Sequence, residues 1–386
     1  MSESGMKNWS GNIQYNPSNI AMPKNISELQ KVVSDASKVR AFGSGHSFNT
    51  LADSEGTMVA FSEFDKNIDI DSTNMVVRVP AGVRYGEVAP KLHAKGFALK
   101  NMGSLPHITV VGATSTGTHG SGVGNKNLSG SICGIELITA TGDSVVLEDS
   151  ELPAARVGLG SLGIIHHVTL EIVPTYDVAQ TVYFDLPFDQ LVSNLDAIIS
   201  AGYSVSVLSM WGDEFADQVW IKSKIGTNPV LTQDEWFGAK IATRKSNPIR
   251  EADSAAATEQ FGLPGPWFER LPHFKLDFTP SFGEELQTEY FIDRKDAPAA
   301  LDAIYKIRKE LSDLIMVCEM RTVAQDENWL SEAYGRETFV FHFTWRPNIP
   351  AVEKLLLKIE ASLEPFKARP HWGKVFTNTA FDFSSL

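Results

Sequence analysis

Two kinds of hydrophobic spacing alternate along the first part of the chain, one typical of helices and one typical of strands. Asn25 precedes Leu29 and Val32, whose helical spacing predicts a helix that Asn25 caps. Alternating apolar and polar residues over 164–173 predict a half-buried strand that Pro174 ends. The same patterns predict a helix over residues 85–95 and strands over residues 76–79, 135–140 and 144–147.

Beyond Pro174 the helical segments become longer, so we place a domain boundary there. The patterns predict helices over residues 189–200, 297–311 and 351–363, strands over residues 204–210 and 339–344, and an ordered loop over residues 261–272. The expected fold class is α+β with two domains, residues 1–175 and 176–368. Residues 369–386 are then expected to return toward the first domain.

Composition limits the classes of function. The chain has 386 residues, a net charge of −13 and 43% hydrophobic residues, which is typical of a globular protein with more than one domain. The negative charge argues against nucleic acid or an anionic membrane as the main partner. Only two cysteines, no apolar leader over residues 1–7 and no apolar run of membrane-spanning length are present. We expect a cytoplasmic protein, and a monomer.

The loop Gly43-Ser44-Gly45-His46-Ser47 follows an apolar, strand-like run. Glycines permit unusual backbone angles, and exposed backbone N–H groups in such a loop can cradle an anion. His46 adds a nucleophile that is active near neutral pH. This combination predicts a large phosphorylated cofactor that is held covalently.

Two further glycine-rich segments are present. Residues 112–122 are almost all small or hydroxylic, which suits either a flat ligand lying on the backbone or a tightly packed buried loop. Residues 158–163 match G-x-G-x-x-G, but β-branched, alternating residues follow where the dinucleotide fingerprint requires a helix. We therefore reject a Rossmann site and predict a turn into a strand.

A metal site and hydrolytic chemistry are not expected. His166 and His167 are adjacent on a predicted strand, so they should point to opposite faces. No Cys-x-x-Cys, His-Glu-x-x-His, Gly-x-Ser-x-Gly or Walker lysine motif occurs.

Polar residues interrupt two apolar strands in the second half of the chain. Glu319 and Arg321 share one face of a predicted strand, and His342 and Thr344 share one face of another. A surface ion pair is the commoner arrangement for Glu and Arg. The apolar neighbours favour burial instead, where such residues are costly unless they are paired or functional.

These segments together resemble the vanillyl-alcohol-oxidase-type flavoproteins, and among them the bacterial alditol oxidases. The resemblance rests on residues 43–49 (GSGHSFN), 101–107 (NMGSLPH), 117–122 (GTHGSG), 261–267 (FGLPGPW), 319–323 (EMRTV), 342–345 (HFTW) and 369–376 (RPHWGKVF). The resemblance implies an N-terminal FAD-binding domain of the PCMH type and a substrate domain. It also implies a covalent bond from His46 to the C8 methyl group of FAD. Further cofactor-binding residues would be Gly43, Ser44, Gly45, Ser47, Ser104, Thr109, Gly112, Thr116, Gly117, Thr118, Ile165 and His371.

The same resemblance implies the reaction. The terminal primary alcohol of an alditol such as xylitol or sorbitol would lose a hydride to flavin N5, and O₂ would reoxidise the flavin to give H₂O₂. Arg321, Lys374 and His342 would be catalytic. The substrate would bind to Ser104, Glu319, Arg321, Thr344 and Lys374.

Two points qualify these implications. Gly103 would leave open a path for O₂, which favours an oxidase over a dehydrogenase. The segment after Phe376 is expected to be shorter than in relatives. The alternatives that stay open are an aldonolactone oxidase or dehydrogenase, and a flavin-binding protein without turnover.

Overall fold

The first part of the chain folds into short helices and three small sheets. The computed structural model describes residues 6–278 and 284–379. The helices are α1 Ile26–Asp35, α2 Tyr85–Ala94, α3 Val110–Thr114 and α4 Leu152–Ala155. The strands are β1 Asn19–Ala21, β2 Val39–Phe42, β3 Thr57–Ala60, β4 Asp69–Asp71, β5 Val76–Pro80, β6 Phe97–Ala98, β7 Ile132–Ile138, β8 Ser144–Leu147, β9 Ile164–Glu171 and β10 Val173–Pro174.

Parallel and antiparallel strand pairing occur in different small sheets. The order β1-β3-β2 is parallel, β4-β5-β9-β7-β8 is antiparallel, and β6 pairs with β10. Asn25 caps α1 as predicted, because its side chain accepts a hydrogen bond from the backbone N–H of Glu28. Residues 158–163 form a turn that enters β9, so the prediction of a turn rather than a Rossmann helix is confirmed.

The second part is dominated by one large, mostly antiparallel sheet. Its helices are α5 Phe188–Ser193, α6 Leu195–Ile199, α7 Ala297–Lys306, α8 Arg308–Leu311 and α9 Ile349–Leu363. Its strands are β11 Asp177–Pro187, β12 Ser204–Ser209, β13 Phe215–Lys224, β14 Glu235–Trp236, β15 Ala239–Ile241, β16 Gly265–Pro266, β17 Leu286–Asp293, β18 Ile315–Val323, β19 Thr338–Trp345 and β20 Arg369–Pro370. The strand order is β14-β15-β11-β13-β12-β18-β19-β17-β20, with β16 paired to β11.

The expected α+β class is therefore confirmed, while the lengths of two helices were wrong. The predicted helix over residues 189–200 breaks at Asn194, whose side chain donates to the carbonyl of Gln190. The predicted helix over residues 297–311 breaks at Ile307, whose backbone is not helical. The domain boundary near residue 175 stays a prediction.

The two faces of the large sheet differ in chemistry. Apolar residues of β17, β18 and β19, among them Tyr290, Met320 and Phe341, form one core with α5, α6, α7 and α9. Because side chains alternate along a strand, the intervening residues point to the opposite face. That face carries Glu289, Glu319 and other polar side chains of the site described below.

The adjacent histidines of β9, His166 and His167, do not point in the directions predicted from the sequence. His167 pairs with Glu136 and Ile165 pairs with Leu137, so a β-bulge leaves His166 without a partner in β7. The bulge turns both rings to the same region, with their Nδ1 atoms 2.6 Å apart. The prediction that they point to opposite faces was wrong, because it assumed an uninterrupted pleat.

Within the described ranges, no helix is both long and apolar enough to cross a membrane.

Substitutions at Leu356 and Leu357, two neighbouring residues of α9, test whether packing of this helix stabilises the large sheet. Leu356 is fully buried in the core shared with the large sheet, whereas its neighbour Leu357 is 60% exposed. Leu356→Ala should lower the free energy of unfolding by about 2–5 kcal/mol, because it leaves a cavity. Leu357→Ala, the matched control, should change it by less than about 0.5 kcal/mol. Equal losses in urea denaturation would contradict this packing.

Candidate active site

One continuous cleft runs between the first part of the chain and the polar face of the large sheet. It is lined by residues from the segments 40–48, 103–119 and 159–165, from strands β17, β18 and β19, and from residues 371–374. Its end at the large sheet carries the charged side chains Glu289, Glu319, Arg321 and Lys374. A long ligand can thus contact both parts at once.

The loop after β2 is shaped by glycines for two different reasons. Gly45 has φ +70°, a left-handed conformation that favours glycine. A Cβ atom on Gly43 would lie 2.6 Å from Thr109 Oγ1, and one on Gly112 would lie 2.7 Å from the same atom. Gly43 and Gly112 therefore make room for the Thr109 hydroxyl, which itself lines the cleft.

His46 projects from this loop as a neutral imidazole. Its ring stacks on Trp9, with centroids 5.1 Å apart and an interplanar angle of 17°. Both ring nitrogens are buried and lack a hydrogen-bond partner among the described residues. Burial, with a further contribution from His107, lowers the pKa of His46 to about 4. A neutral ring with two unpartnered nitrogens is a competent nucleophile toward a ligand in the cleft.

The small-residue segment 112–122 lines the cleft at some positions and packs tightly at others, while its predicted contact with a flat ligand stays a prediction. Thr116 and Thr118 line the cleft. Gly120 serves packing, because a Cβ atom there would lie 2.3 Å from the carbonyl oxygen of Met102. Gly117 has φ +73° and does not line the cleft; it packs against the carboxyl group of Glu332, whose pKa burial raises well above its usual range.

Three neighbouring strands place a row of ionisable side chains at the polar end of the cleft. His342 of β19 pairs directly with Glu319 of β18 on one side and with Glu289 of β17 on the other. Directly opposite residues in antiparallel strands hold their side chains close together. The register of the three strands therefore places the imidazole of His342 between the carboxylates of Glu319 and Glu289.

Two cations compensate the two carboxylates. Arg321 donates to Glu289 over 2.6 Å and lies 3.6 Å from Glu319. Lys374 Nζ is 3.2 Å from Glu289 Oε2, 2.8 Å from Gln287 Oε1 and 2.9 Å from His342 Nε2. Lys374 thus uses all three of its donors within the cleft.

The local charges fix the ionisation of this cluster. Burial alone would raise the pKa values of Glu289 and Glu319, but Lys374, Arg321 and the neighbouring histidines hold both well below the usual range. The pKa of Lys374 is lowered by burial, a shift that Glu289 opposes. Burial and the Lys374 charge lower the pKa of His342 to about 4. Two anions, two cations and a neutral imidazole leave the site without net charge, which suits an uncharged ligand.

The structure brings the predicted site residues together, apart from Gly117. Ser44, Ser47, Ser104, Ile165 and His371 line the same cleft as His46, and Thr344 lies beside the charged row. Glu319 and Arg321 are each 5% exposed, so the alternative of a surface ion pair was wrong. The individual roles assigned to these residues stay predictions.

Sequence reasoning missed several residues at the polar end, namely Gln287, Glu289, His119 and His273. The signal for two of them was present, because Gln287 and Glu289 alternate with apolar residues in β17. His119 Nε2 donates to the ionised carboxylate of Glu289 over 3.1 Å. His273 lies on a loop, where no periodicity indicates its direction.

A second group of potential ligands lies away from the cleft. Glu136, His166 and His167 hold their ligand atoms within 4.8 Å of one another. Arg78 already binds both carboxylate oxygens of Glu136, and its positive charge opposes a cation at this place. The expectation of no metal stays a prediction.

Comparison with known proteins defines the class to which this cleft belongs. Residues 17–148 match a family described as FAD binding domain, and residues 278–386 match one described as D-arabinono-1,4-lactone oxidase. Two cholesterol oxidase structures, one of them from B. sterolicum, superpose with TM-scores of 0.73 and 0.75 at 14% and 13% identity. The superposed parts make up 95% of this chain in each case, and 86% and 85% of the two cholesterol oxidase chains, so this chain shares their fold.

Relatives that match almost the whole of this chain identify the family within this class. An alditol oxidase from Streptomyces is 42% identical over 97% of this chain and 90% of its own length. An L-gulono-1,4-lactone dehydrogenase from Mycobacterium tuberculosis is 28% identical over 97% and 90%, and an L-gulonolactone oxidase from Bos taurus is 25% identical over 98% and 91%. The chain belongs to the alditol oxidase family of FAD-dependent oxidoreductases.

Proposed function

We propose that this enzyme oxidises the terminal primary alcohol of an alditol, such as xylitol or sorbitol, to the aldose. The observation that carries the proposal is the charge-balanced row of Glu319, His342 and Glu289 with its two cations. An uncharged polyhydroxylated chain offers many donors and acceptors but no charge. It therefore fits the polar and charge-balanced end of the cleft.

The residues present fit FAD at the other end of the cleft. His46 offers unpartnered ring nitrogens, and the loop around Gly45 exposes backbone groups beside it. We propose that His46 forms the covalent bond to the cofactor. The hydroxyl groups of Ser44 and Ser47 would supply donors along it, and the Thr116 hydroxyl, which donates to the carbonyl of Gly112, would supply an acceptor.

The chain's own residues orient the substrate and manage its proton. Glu319 and Thr344 would accept hydrogen bonds from substrate hydroxyls. In the bound complex the C1 hydroxyl would take the place of Lys374 at His342 Nε2, which frees one donor of Lys374. Neutral His342 would then take the C1 hydroxyl proton at Nε2, while the flanking carboxylates stabilise the resulting imidazolium. Arg321 and Lys374 would stabilise the negative charge that develops on the C1 oxygen. When bound, FAD supplies the acceptor for the two electrons and passes them to O₂, which gives H₂O₂.

A peroxide assay distinguishes this proposal from the lactone activities of the more distant relatives. With equal concentrations of xylitol, sorbitol and L-gulono-1,4-lactone, the two alditols should give the higher kcat/KM for H₂O₂ formation. Lys374→Met should lower kcat/KM about 100-fold or more, because a cation at the developing oxyanion is lost. Leu357→Ala, exposed on α9, should match the unsubstituted enzyme. A higher kcat/KM for the lactone, or no turnover with any of the three, would overturn the proposal.

The covalent bond has its own test. Acid precipitation of the unsubstituted protein should leave the yellow flavin in the pellet, and His46→Ala should release it into the supernatant. His107→Ala is the control, since His107 is a neighbouring histidine for which no bond is proposed. Flavin retained by the His46→Ala pellet would show that the bond lies elsewhere.

Gly103 is the proposed determinant of access for O₂. It lines the cleft, and a Cβ atom there would lie 3.5 Å from the carbonyl oxygen of His119 and 3.8 Å from Thr118 Cγ2, so alanine fits without strain. Gly103→Ala should slow reoxidation by O₂ several-fold and leave anaerobic reduction by substrate unchanged. Stopped-flow measurement of both half-reactions checks this. Unchanged reoxidation would rule out the gating role.

The monomeric state and the cytoplasmic location stay predictions of the sequence.

A further inference from the structure

A lysine without a role in the proposed reaction lies behind the charged row. Lys222 of β13 is 1% exposed. Its ammonium group donates to the carbonyl of Leu271 and lies 3.1 Å from His273 Nδ1. Burial lowers the pKa of Lys222 to about 7, because removal from water disfavours the charged ammonium form. A buried ammonium group is unfavourable unless its contacts compensate for the loss of water, and for Lys222 those contacts are with Leu271 and His273.

Lys222 and Glu319 favour the same tautomer of His273. In its ammonium form Lys222 has only donors, so His273 Nδ1 accepts from it. The ionised carboxylate of Glu319 only accepts, so His273 Nε2 must be the donor. Burial and the nearby Lys222 charge lower the pKa of His273 to about 4, so the ring is neutral and its proton lies on Nε2. His273 Nε2 lies 2.7 Å from Glu319 Oε1, which makes this nitrogen a donor to the carboxylate.

The same loop also holds Ser104. The backbone N–H of His273 donates to the carbonyl oxygen of Ser104 over 3.1 Å. One short segment therefore ties together two residues that are proposed to bind substrate, one on the large sheet and one in the first part of the chain. The ring of His273 is fixed in turn by an edge contact with Trp220, with centroids 5.0 Å apart.

The arrangement divides the two oxygens of Glu319 between different tasks. Oε1 faces His273 and Arg321. Oε2 lies 3.6 Å from His342 Nδ1, a nitrogen that makes no hydrogen bond among the described residues. Oε2 is thus the oxygen left to accept a hydrogen bond from a ligand in the cleft.

We propose that Lys222 and His273 are positioning residues, which hold the Glu319 carboxylate in the orientation that accepts a substrate hydroxyl. This inference rests on the proposed alditol oxidation. Lys222 favours the His273 tautomer that donates from Nε2, His273 fixes Glu319 Oε1, and Glu319 Oε2 binds the hydroxyl. Neither positioning residue touches the reacting atoms, so their effect falls on substrate binding rather than on the chemical step.

A matched pair of substitutions at His273 tests the relay. The amide nitrogen of glutamine can occupy the place of Nε2, whereas the shorter asparagine places its amide near Nδ1 and cannot reach Glu319. His273→Asn should raise KM for xylitol about tenfold or more and change kcat less than threefold, as expected for one lost hydrogen bond to a charged group. His273→Gln should keep KM within about threefold of the unsubstituted enzyme. Lys222→Met should raise KM to an intermediate value.

A binding measurement separates positioning from turnover. Equilibrium dialysis of labelled xylitol against the dithionite-reduced holoenzyme without oxygen gives Kd when no oxidation can occur. Kd should rise in parallel with KM in His273→Asn and stay near the unsubstituted value in His273→Gln. If His273→Asn does not fold, the Lys222→Met protein is compared with His273→Gln instead.

The outcomes distinguish the two proposals. An unsubstituted enzyme that oxidises no alditol contradicts the proposed function. An active enzyme in which His273→Asn or Lys222→Met leaves KM and Kd unchanged, or in which kcat falls while KM does not, contradicts the positioning roles alone. Equal losses in His273→Gln and His273→Asn would also contradict them, because only a general structural role predicts that result.

Discussion

The buried carboxylate of Glu289 is the constraint around which the reactive end of the cleft is arranged. A charge this deep in the protein is stable only when cations and donors surround it closely. Arg321, Lys374 and His119 all contact it, and each comes from a different part of the chain. The cations that the proposed reaction needs are therefore held in place by a residue that need not touch substrate.

This compensation also connects the two parts of the molecule. Lys374 lies just after β20, the last strand of the large sheet, while the loop that carries His46 belongs to the first part. The side chain of Asn49 donates to the carbonyl oxygens of Trp372 and Lys374, over 2.7 and 2.8 Å. Direct hydrogen bonds thus connect the segment that carries the proposed cofactor tether to the segment that carries Lys374.

Sequence patterns predicted the elements better than their relations in space. The capped helix at Asn25 and the polar face of β18 follow from local spacing, because side-chain direction is periodic within one element. The alignment of Glu319, His342 and Glu289 depends on strand register, which no local pattern defines. The bulge that brings His166 and His167 together is likewise a property of the pairing between β7 and β9. No sequence pattern indicated the proposed role of Lys222, because that role depends on contact with His273, which lies on a loop about fifty residues away in the sequence.

The proposed reaction requires that a neutral polyol binds at the charge-balanced end of the cleft and reduces the flavin. The most direct measurement is anaerobic mixing of the purified yellow holoenzyme with xylitol, followed by flavin absorbance. Bleaching should be rapid and complete. Glu319→Gln should slow it at low xylitol concentration, and a higher xylitol concentration should restore the rate. A flavin that stays yellow with xylitol and sorbitol but bleaches with a sugar lactone, or with neither, would contradict the proposed reaction.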